Sequence, residues 1–216
     1  PTPQQLADMR AELGLDRPLH IQFFDYMKNV LRGSFGESIQ RHRPVGVEIR
    51  ENIGPTLTLT LTGMGIAIVV GFALGLAAAL KPNSWADSLC MGIANLGVAV
   101  PAFWLGILLI LLFALTLGWL PATGQGGGRR LILPAISLGF GYSAIIARLV
   151  RSNLVQVLGR EYILTARAKG LRERIVLFRH AMRNALIPVI TMIGLQFGKM
   201  MASAVVVEVL FARVGL

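Results

Sequence analysis

A single cysteine in 216 residues, Cys90 inside an apolar run, excludes an intrachain disulfide framework and a multi-cysteine metal site. It reads as a small core hydrophobe. Charge is also scarce. Asp, Glu, Lys and Arg make up 15% of the chain, 54% is hydrophobic and mean hydropathy is +0.64, where soluble domains carry roughly 25% charged residues. That balance speaks against a water-soluble globule and for a chain built to sit in lipid. Acidic residues are the rarer sign, 11 against 21 basic, for a formal net charge of +10. In a membrane chain such an excess points first to unequal loops. No GxxxxGK[ST] string occurs, so there is no nucleotide-binding P-loop. The three histidines (His20, His42, His180) lie outside the apolar runs and no Asp or Glu sits in the middle of one. Intramembrane catalysis would need such groups facing each other at helix depth, so an enzyme is not expected.

Long uncharged runs are what the chain does have. Thr56 to Leu80 contains no charge over 25 residues, and at about 1.5 Å per residue such a helix crosses a hydrocarbon layer of roughly 30 Å. Asn52 suits its cap, Pro55 its first turn, and Lys81-Pro82-Asn83 its stop. Between Asp87 and Arg129 no charge occurs; the stretch is too long for one straight span and reads as a span over 88–117, bent near Pro101, followed by a Gly-rich turn reaching Gly128. Trp104 and Trp119 mark interfacial depth on this reading. Leu131 to Ala147 supplies a third span, placed over 131–149, and Leu186 to Val207, interrupted only by Lys199, a fourth. The expected fold is therefore an all-α integral membrane protein, a polytopic helical bundle with about four spans (56–80, 88–117, 131–149 and 186–207). The transmembrane domain occupies 53–216, behind an amphipathic extracytoplasmic segment over 1–52.

The loops are sharply unequal. Residues 1–52 hold seven basic and seven acidic side chains, whereas 148–183 holds nine basic residues against Glu161 and Glu173. By the positive-inside rule the loop over about 150–185 is cytoplasmic. Counting spans backwards puts 81–87 inside too, and 118–130 and 1–52 outside; Arg129 and Arg130 run against the rule. In 1–52, Leu6, Met9 and Leu13 recur at helical spacing, as do Ile21, Phe24, Met27 and Leu31, which suggests short helices on the outer membrane face. Residue 1 is Pro, and the chain looks trimmed at its start. Membrane topology accounts for the basic excess, so no nucleic acid is expected as a partner.

The basic loop has internal order. After Gly170 the apolar positions Leu171, Ile175, Phe178, Met182 and Ala185 step by four, three, four and three, with Arg172, Glu173, Arg174, Arg179 and Arg183 elsewhere on the wheel. Tyr162 to Lys169 is a short Ala-rich helix former, and Gly170 suits the left-handed position that ends a helix. Helix, glycine corner, helix is the expected form. Two uses compete: the helices lie in the headgroup region with their arginines on anionic lipid, or they form a docking knob for a cytosolic partner, with small Ala166 and Ala168 permitting close approach and Arg167 and Lys169 supplying charge.

The run TARAKGLRERIVLFRHAMRNALIPV, Thr165 to Val189, resembles the cytoplasmic coupling loop of ABC importer inner-membrane permeases, in the form found in the dipeptide, oligopeptide, glutathione and nickel branch. LGLDRP (13–18), GSFGES (33–38), PAFWLGILLILLF from Pro101, GWLPATG (118–124) and AVVVEVLF from Ala204 are similar to that branch in the same order. Leu164 and Thr165 stand where the broader family has Glu and Ala, a substitution that fits this branch, and Val214 stands where relatives commonly have Pro. The resemblance implies a permease subunit of the bacterial or archaeal cytoplasmic membrane. Family members usually have six spans, so the first and last would lie outside this chain. Implied partners are a second homologous permease, two cytosolic ABC ATPase subunits, an extracytoplasmic substrate-binding protein and membrane lipid. No cofactor belongs to this chain, and ATP would be bound by the partner subunits. By motif position, Ala166, Arg167, Ala168, Lys169, Gly170 and Leu171 would form or flank the ATPase-coupling element.

Polar residues inside the spans outline a translocation path: Asn95, Ser137, Tyr142, Ser143, Thr191, Gln196 and Lys199. Hydroxyls and amides in spans also serve as interhelical hydrogen-bonding groups. Lys199 either lines the path or snorkels toward the outer interface. Met192, Met200 and Met201 read as packing rather than metal ligands. The solute expected is small and polar, a di- or oligopeptide first. The competing class is a secondary transporter or channel not driven by an ATPase.

Overall fold

The computed structural model describes residues 16–38, 43–124 and 126–213, with Gln4 and Gly215. Leu6, Met9, Leu13 and Val214 lie outside the described residues. The described residues form helices with one isolated antiparallel bridge, Glu37 to Pro44, and the chain divides into two compact units at Ile53–Gly54.

In the first unit, helix α1 (Leu19–Leu31) opens behind Pro18, whose carbonyl accepts the Ile21 and Gln22 N–H groups at 2.9 and 3.2 Å. The apolar positions expected at helical spacing do share a face, but none is buried: Phe24 is 68% and Leu31 82% exposed. That face is left for something other than this unit. Arg17 pairs with Asp25, and Arg43 with Glu51.

The second unit is a bundle of long apolar helices. Helix α2 (Val45–Leu80) begins well before the Asn52 cap expected from the charge pattern, and Pro55 is interior rather than in the first turn. Hydropathy marks where lipid begins, whereas a helix continues as long as its backbone bonds are made. One proline removes one N–H, and the Thr58, Thr60 and Thr62 hydroxyls bond back to the carbonyls of Gly54, Thr56 and Thr58. The expected stop holds: Asn83 takes a left-handed φ of 61° after Pro82, a conformation Asn tolerates.

Helix α3 (Trp85–Ala99) and α4 (Ala102–Thr116) meet at 101°. The single bent span expected over 88–117 is thus a corner. Val100 is extended because the Pro101 ring crowds the residue before it. The last seven residues of α4 widen into a π-helix, Ile110–Thr116. Helix α5 (Arg129–Leu158) and helix α7 (Glu173–Leu210) are both longer than the uncharged runs of 131–149 and 186–207 within them. Arginines end the apolar stretch but are good helix formers, so they do not end the helix. Helix α6 (Glu161–Ala168) lies between these two. Among the described residues, three helices are long and apolar enough to cross a membrane, and a fourth span results if the α3–α4 pair counts as one broken crossing.

α5 is the centre of the bundle, and α3, α4 and α7 pack on it. Its contact with α2 is made by small residues. Gly63, Ala67, Gly71, Gly75 and Ala79 recur every fourth residue on α2, and Ala135, Gly139, Ser143 and Ala147 do the same on α5. A Cβ on Gly71 would stand 2.6 Å from the Ser143 carbonyl oxygen and one on Gly75 2.5 Å from that of Ala147; on Gly139 it would strike the Gly63 carbonyl. Gly97 of α3 meets the Phe140 carbonyl in the same way at 2.9 Å. Close backbone approach of this kind drives helix association in lipid, where burying apolar surface gains little. Leu59, Met64, Leu138, Ile146, Met200, Val207 and Phe211 fill the remaining space.

Gly75→Val should push α2 off α5 and destabilise the bundle by about 1–3 kcal/mol, read as a lower Tm and reduced yield of monodisperse protein in detergent. Gly92→Ala, where a Cβ would meet nothing within 4 Å, should leave both unchanged.

Candidate functional site

The basic segment between α5 and α7 is built as helix, glycine corner, helix. α6 ends in a pair of bonds that satisfy its last carbonyls: Gly170 N–H to the Arg167 carbonyl at 2.9 Å and Leu171 N–H to that of Ala166 at 3.4 Å. This 5→2 and 6→1 pairing requires a left-handed residue between them, and Gly170 has φ +75°. Across the corner Arg167 grips Glu173 with two hydrogen bonds, 2.8 Å from Nε and 3.3 Å from an Nη. The chain then enters α7, whose Val176–Ala181 turn is π-helical.

One side of this hairpin is anchored. Ile163 and Ala166 of α6, with Val176, Ala181 and Ala185 of α7, close over Ala79 of α2 and Leu154 of α5. Asn184 donates to the Tyr162 hydroxyl at 2.9 Å, tying the two helices together. Among the six residues expected to couple, Ala166 therefore faces inward and is buried, whereas Arg167, Ala168, Lys169, Gly170 and Leu171 are exposed. The helical wheel is corrected as well. Of the apolar stripe read from the periodicity, Met182 and Ala185 are buried, whereas Ile175 and Phe178 are 40% and 53% exposed, and Val176 and Ala181 are buried beside the former pair. A π turn carries more residues than an α turn and rotates the face. Leu164, Leu171, Ile175 and Phe178 thus stand exposed among Arg167, Lys169, Arg172, Arg174 and Arg179.

A buried ion pair braces the base of this region. Asp87, in the first turn of α3, accepts from Nε and Nη2 of Arg151 on α5, and its carboxylate also takes the Asn83 N–H at 2.8 Å. Asp87 is 4% exposed. Arg151 sits one turn before Leu154, so the pair holds the 81–87 turn against the helix that carries the hairpin's anchor. It was hidden in the sequence because 64 residues separate the partners. The glycine ladder was readable as two four-residue repeats of small residues.

The polar residues proposed to line a path are spread over α3, α5 and α7. Ser137 donates to the Ala102 carbonyl at 2.6 Å, Tyr142 and Ser203 share a hydrogen bond of 2.9 Å, and Ser143 donates to the Phe140 carbonyl. These hydroxyls hold helices and helical turns. Gln196 is buried; Asn95, Thr191 and Lys199 are exposed, Thr191 bonding back to the Ile187 carbonyl.

Residues 71–216 match the family of binding-protein-dependent transport system inner membrane components. The chain belongs to this family. It is an ABC importer permease of the peptide and glutathione branch, a multi-pass protein of the bacterial inner membrane. Over 213 residues the permease is 47% identical to the glutathione transport system permease protein GsiC of Salmonella typhimurium, covering 99% of this chain and 70% of that protein. With GsiC of Escherichia coli K12 the identity is 47% over 208 residues, 96% of this chain and 68% of the relative. Its fold is similar to those in the solved structures of an amino acid ABC transporter (TM-score 0.59, 17% identity, 77% of this chain and 74% of that one) and of the inward-facing MetNI methionine ABC transporter (TM-score 0.62, 17% identity, 77% and 75%).

Removing Arg151 from the brace leaves the Asp87 carboxylate buried and unpaired. Arg151→Met in the permease should cost about 3–5 kcal/mol, whereas Arg151→Met combined with Asp87→Leu should recover most of it. Thermal unfolding of the purified variants measures both.

Proposed function

We propose that the permease forms half of the translocation path of an ATP-driven importer for a small peptide-like solute, glutathione in the first place, and takes its driving force from a cytosolic ATPase at the Gly170 corner. The observation that carries this reading is the two-sided hairpin. Its inner face is locked to α2, α5 and α7 by apolar packing, and its outer face offers exposed arginines and leucines around a glycine corner. A knob held this firmly transmits displacement instead of absorbing it. A lipid-bound amphipathic helix would need no such lock to the bundle.

On this reading Arg167, Ala168, Lys169, Gly170 and Leu171 meet a groove of the ATPase, while Ala166 keeps the corner seated on the bundle. ATP is bound and hydrolysed by the partner subunits. As their dimer closes, the knob follows its groove and the spans rock between inward-open and outward-open arrangements, a rigid-body switch between two states. A second, homologous permease completes the path, an extracytoplasmic binding protein delivers the solute, and lipid surrounds the spans. The solute class is supported by the glutathione permeases among the relatives.

Gly170→Asp separates coupling from folding. A Cβ at Gly170 meets nothing within 4 Å, though the left-handed φ of +75° strains any residue but glycine, so Gly170→Asn, which carries the same strain without the charge, is the control. For Gly170→Asp, ATP-dependent uptake of glutathione into proteoliposomes holding the whole transporter should fall at least tenfold below that of Gly170→Asn, with insertion intact and the same Tm in the two variants. Normal transport by Gly170→Asp would refute the coupling assignment. Arg167→Glu should weaken co-purification of the ATPase, and an undiminished pull-down would favour the lipid-facing use. ATP-independent uptake by the permeases alone would favour a secondary transporter or channel.

A further inference from the structure

Lys199 places a full charge inside the apolar stretch of α7. It stands 13 residues after Leu186 and eight before Val207, the two ends of the apolar stretch, about 20 Å and about 12 Å along the axis. An ammonium at that depth is costly unless it faces water or an anion. The unit from Gly54 to Gly215 offers it no anion. Its acidic residues are Asp87, Glu161, Glu173 and Glu208. Asp87 is held by Arg151 and Glu173 by Arg167. Glu161 is exposed at the start of α6, and Glu208 lies nine residues further along α7, about 13 Å away. Lys199 is exposed and has no hydrogen-bond or ion-pair partner among the described residues.

The helix surface beside it is bare. A Cβ on Gly194 or Gly198 would meet nothing within 4 Å, unlike Gly63, Gly71 or Gly97, which are filled by neighbouring helices. We propose that Lys199 is the anion-binding group of the translocation path: its ammonium donates hydrogen bonds to a carboxylate of the passing solute, with the small flank at 194 and 198 leaving room for the solute to lie against α7. The path therefore selects carboxylate-bearing peptides over neutral ones of equal size. This assignment rests on the permease reading above and adds the solute's charge to it.

The test uses the complete transporter, both permeases with ATPases and binding protein, in proteoliposomes. K199Q should lower uptake of radiolabelled glutathione at least tenfold and that of a neutral tripeptide amide less than twofold, and K199R should keep most of the glutathione uptake. Equal losses for the two solutes, or no loss, would overturn the proposal. A second arm places a cysteine by Lys199→Cys in a Cys90→Ser background. Modification by a charged, water-soluble thiosulfonate, slowed by glutathione, is the expected result. Reaction with a membrane-permeant maleimide alone would place the side chain against lipid, and water-soluble modification that glutathione does not slow would assign the charge to the second permease's counter-ion; either outcome overturns the proposal. If the unaltered transporter showed no ATP-driven uptake, the permease reading would fail, while the cysteine arm would still decide Lys199.

Discussion

Backbone meets backbone between α2 and α5, and the bundle depends on that contact. In lipid, packing leucine against leucine gains little over packing it against acyl chains, so helices are held where they approach closely enough for dispersion over a long seam. Glycines 63, 71 and 75 on one helix and 139 on the other, with alanine and serine between, bring the axes together along several turns. The spaces at Gly71, Gly75 and Gly139 are filled by carbonyls of the opposite helix and that at Gly63 by the Met200 side chain, so the seam has one register. A slide of one residue would set side chains against backbone.

The basic hairpin inherits its rigidity from this seam. Ala79, at the end of the α2 series, lies in the same apolar cluster as Ile163, Ala166 and Val176, and the Asp87–Arg151 pair ties the neighbouring turn to α5. Buried charge pairs are poor sources of net stability, because desolvation offsets most of the attraction. Their geometric demand is strict, however. A bidentate guanidinium fixes the angle at which the 81–87 turn meets α5. The hairpin thus has a firm base and an exposed tip, the form a lever needs.

Several parts were legible in the residues. Uncharged runs located the long helices, because hydrocarbon excludes charge along any stretch that crosses it. Pro101 located the break before α4, and Gly170 the corner after α6, since a proline crowds the residue before it and a left-handed cap favours glycine. Less was legible where position depends on rotation. Ile175 and Phe178 follow the helical period but face outward, because the π turn over 176–181 shifts the wheel. Ser137, Tyr142 and Ser143 carry the polar atoms a path would use, yet those hydroxyls are engaged by Ala102, Ser203 and Phe140. Nothing within their own stretch of chain separates a hydroxyl that lines a channel from one that pins two helices.

From its own sequence this chain determined that it lives in lipid, how many long apolar segments it has and which loop carries the positive charge, for these follow from local composition acting against a uniform solvent. Tertiary structure alone decided which small residues form seams, which way the hairpin turns its leucines and that Asp87 finds Arg151. Those outcomes are set by helix rotation and by partners far apart in the chain, and local composition is blind to both.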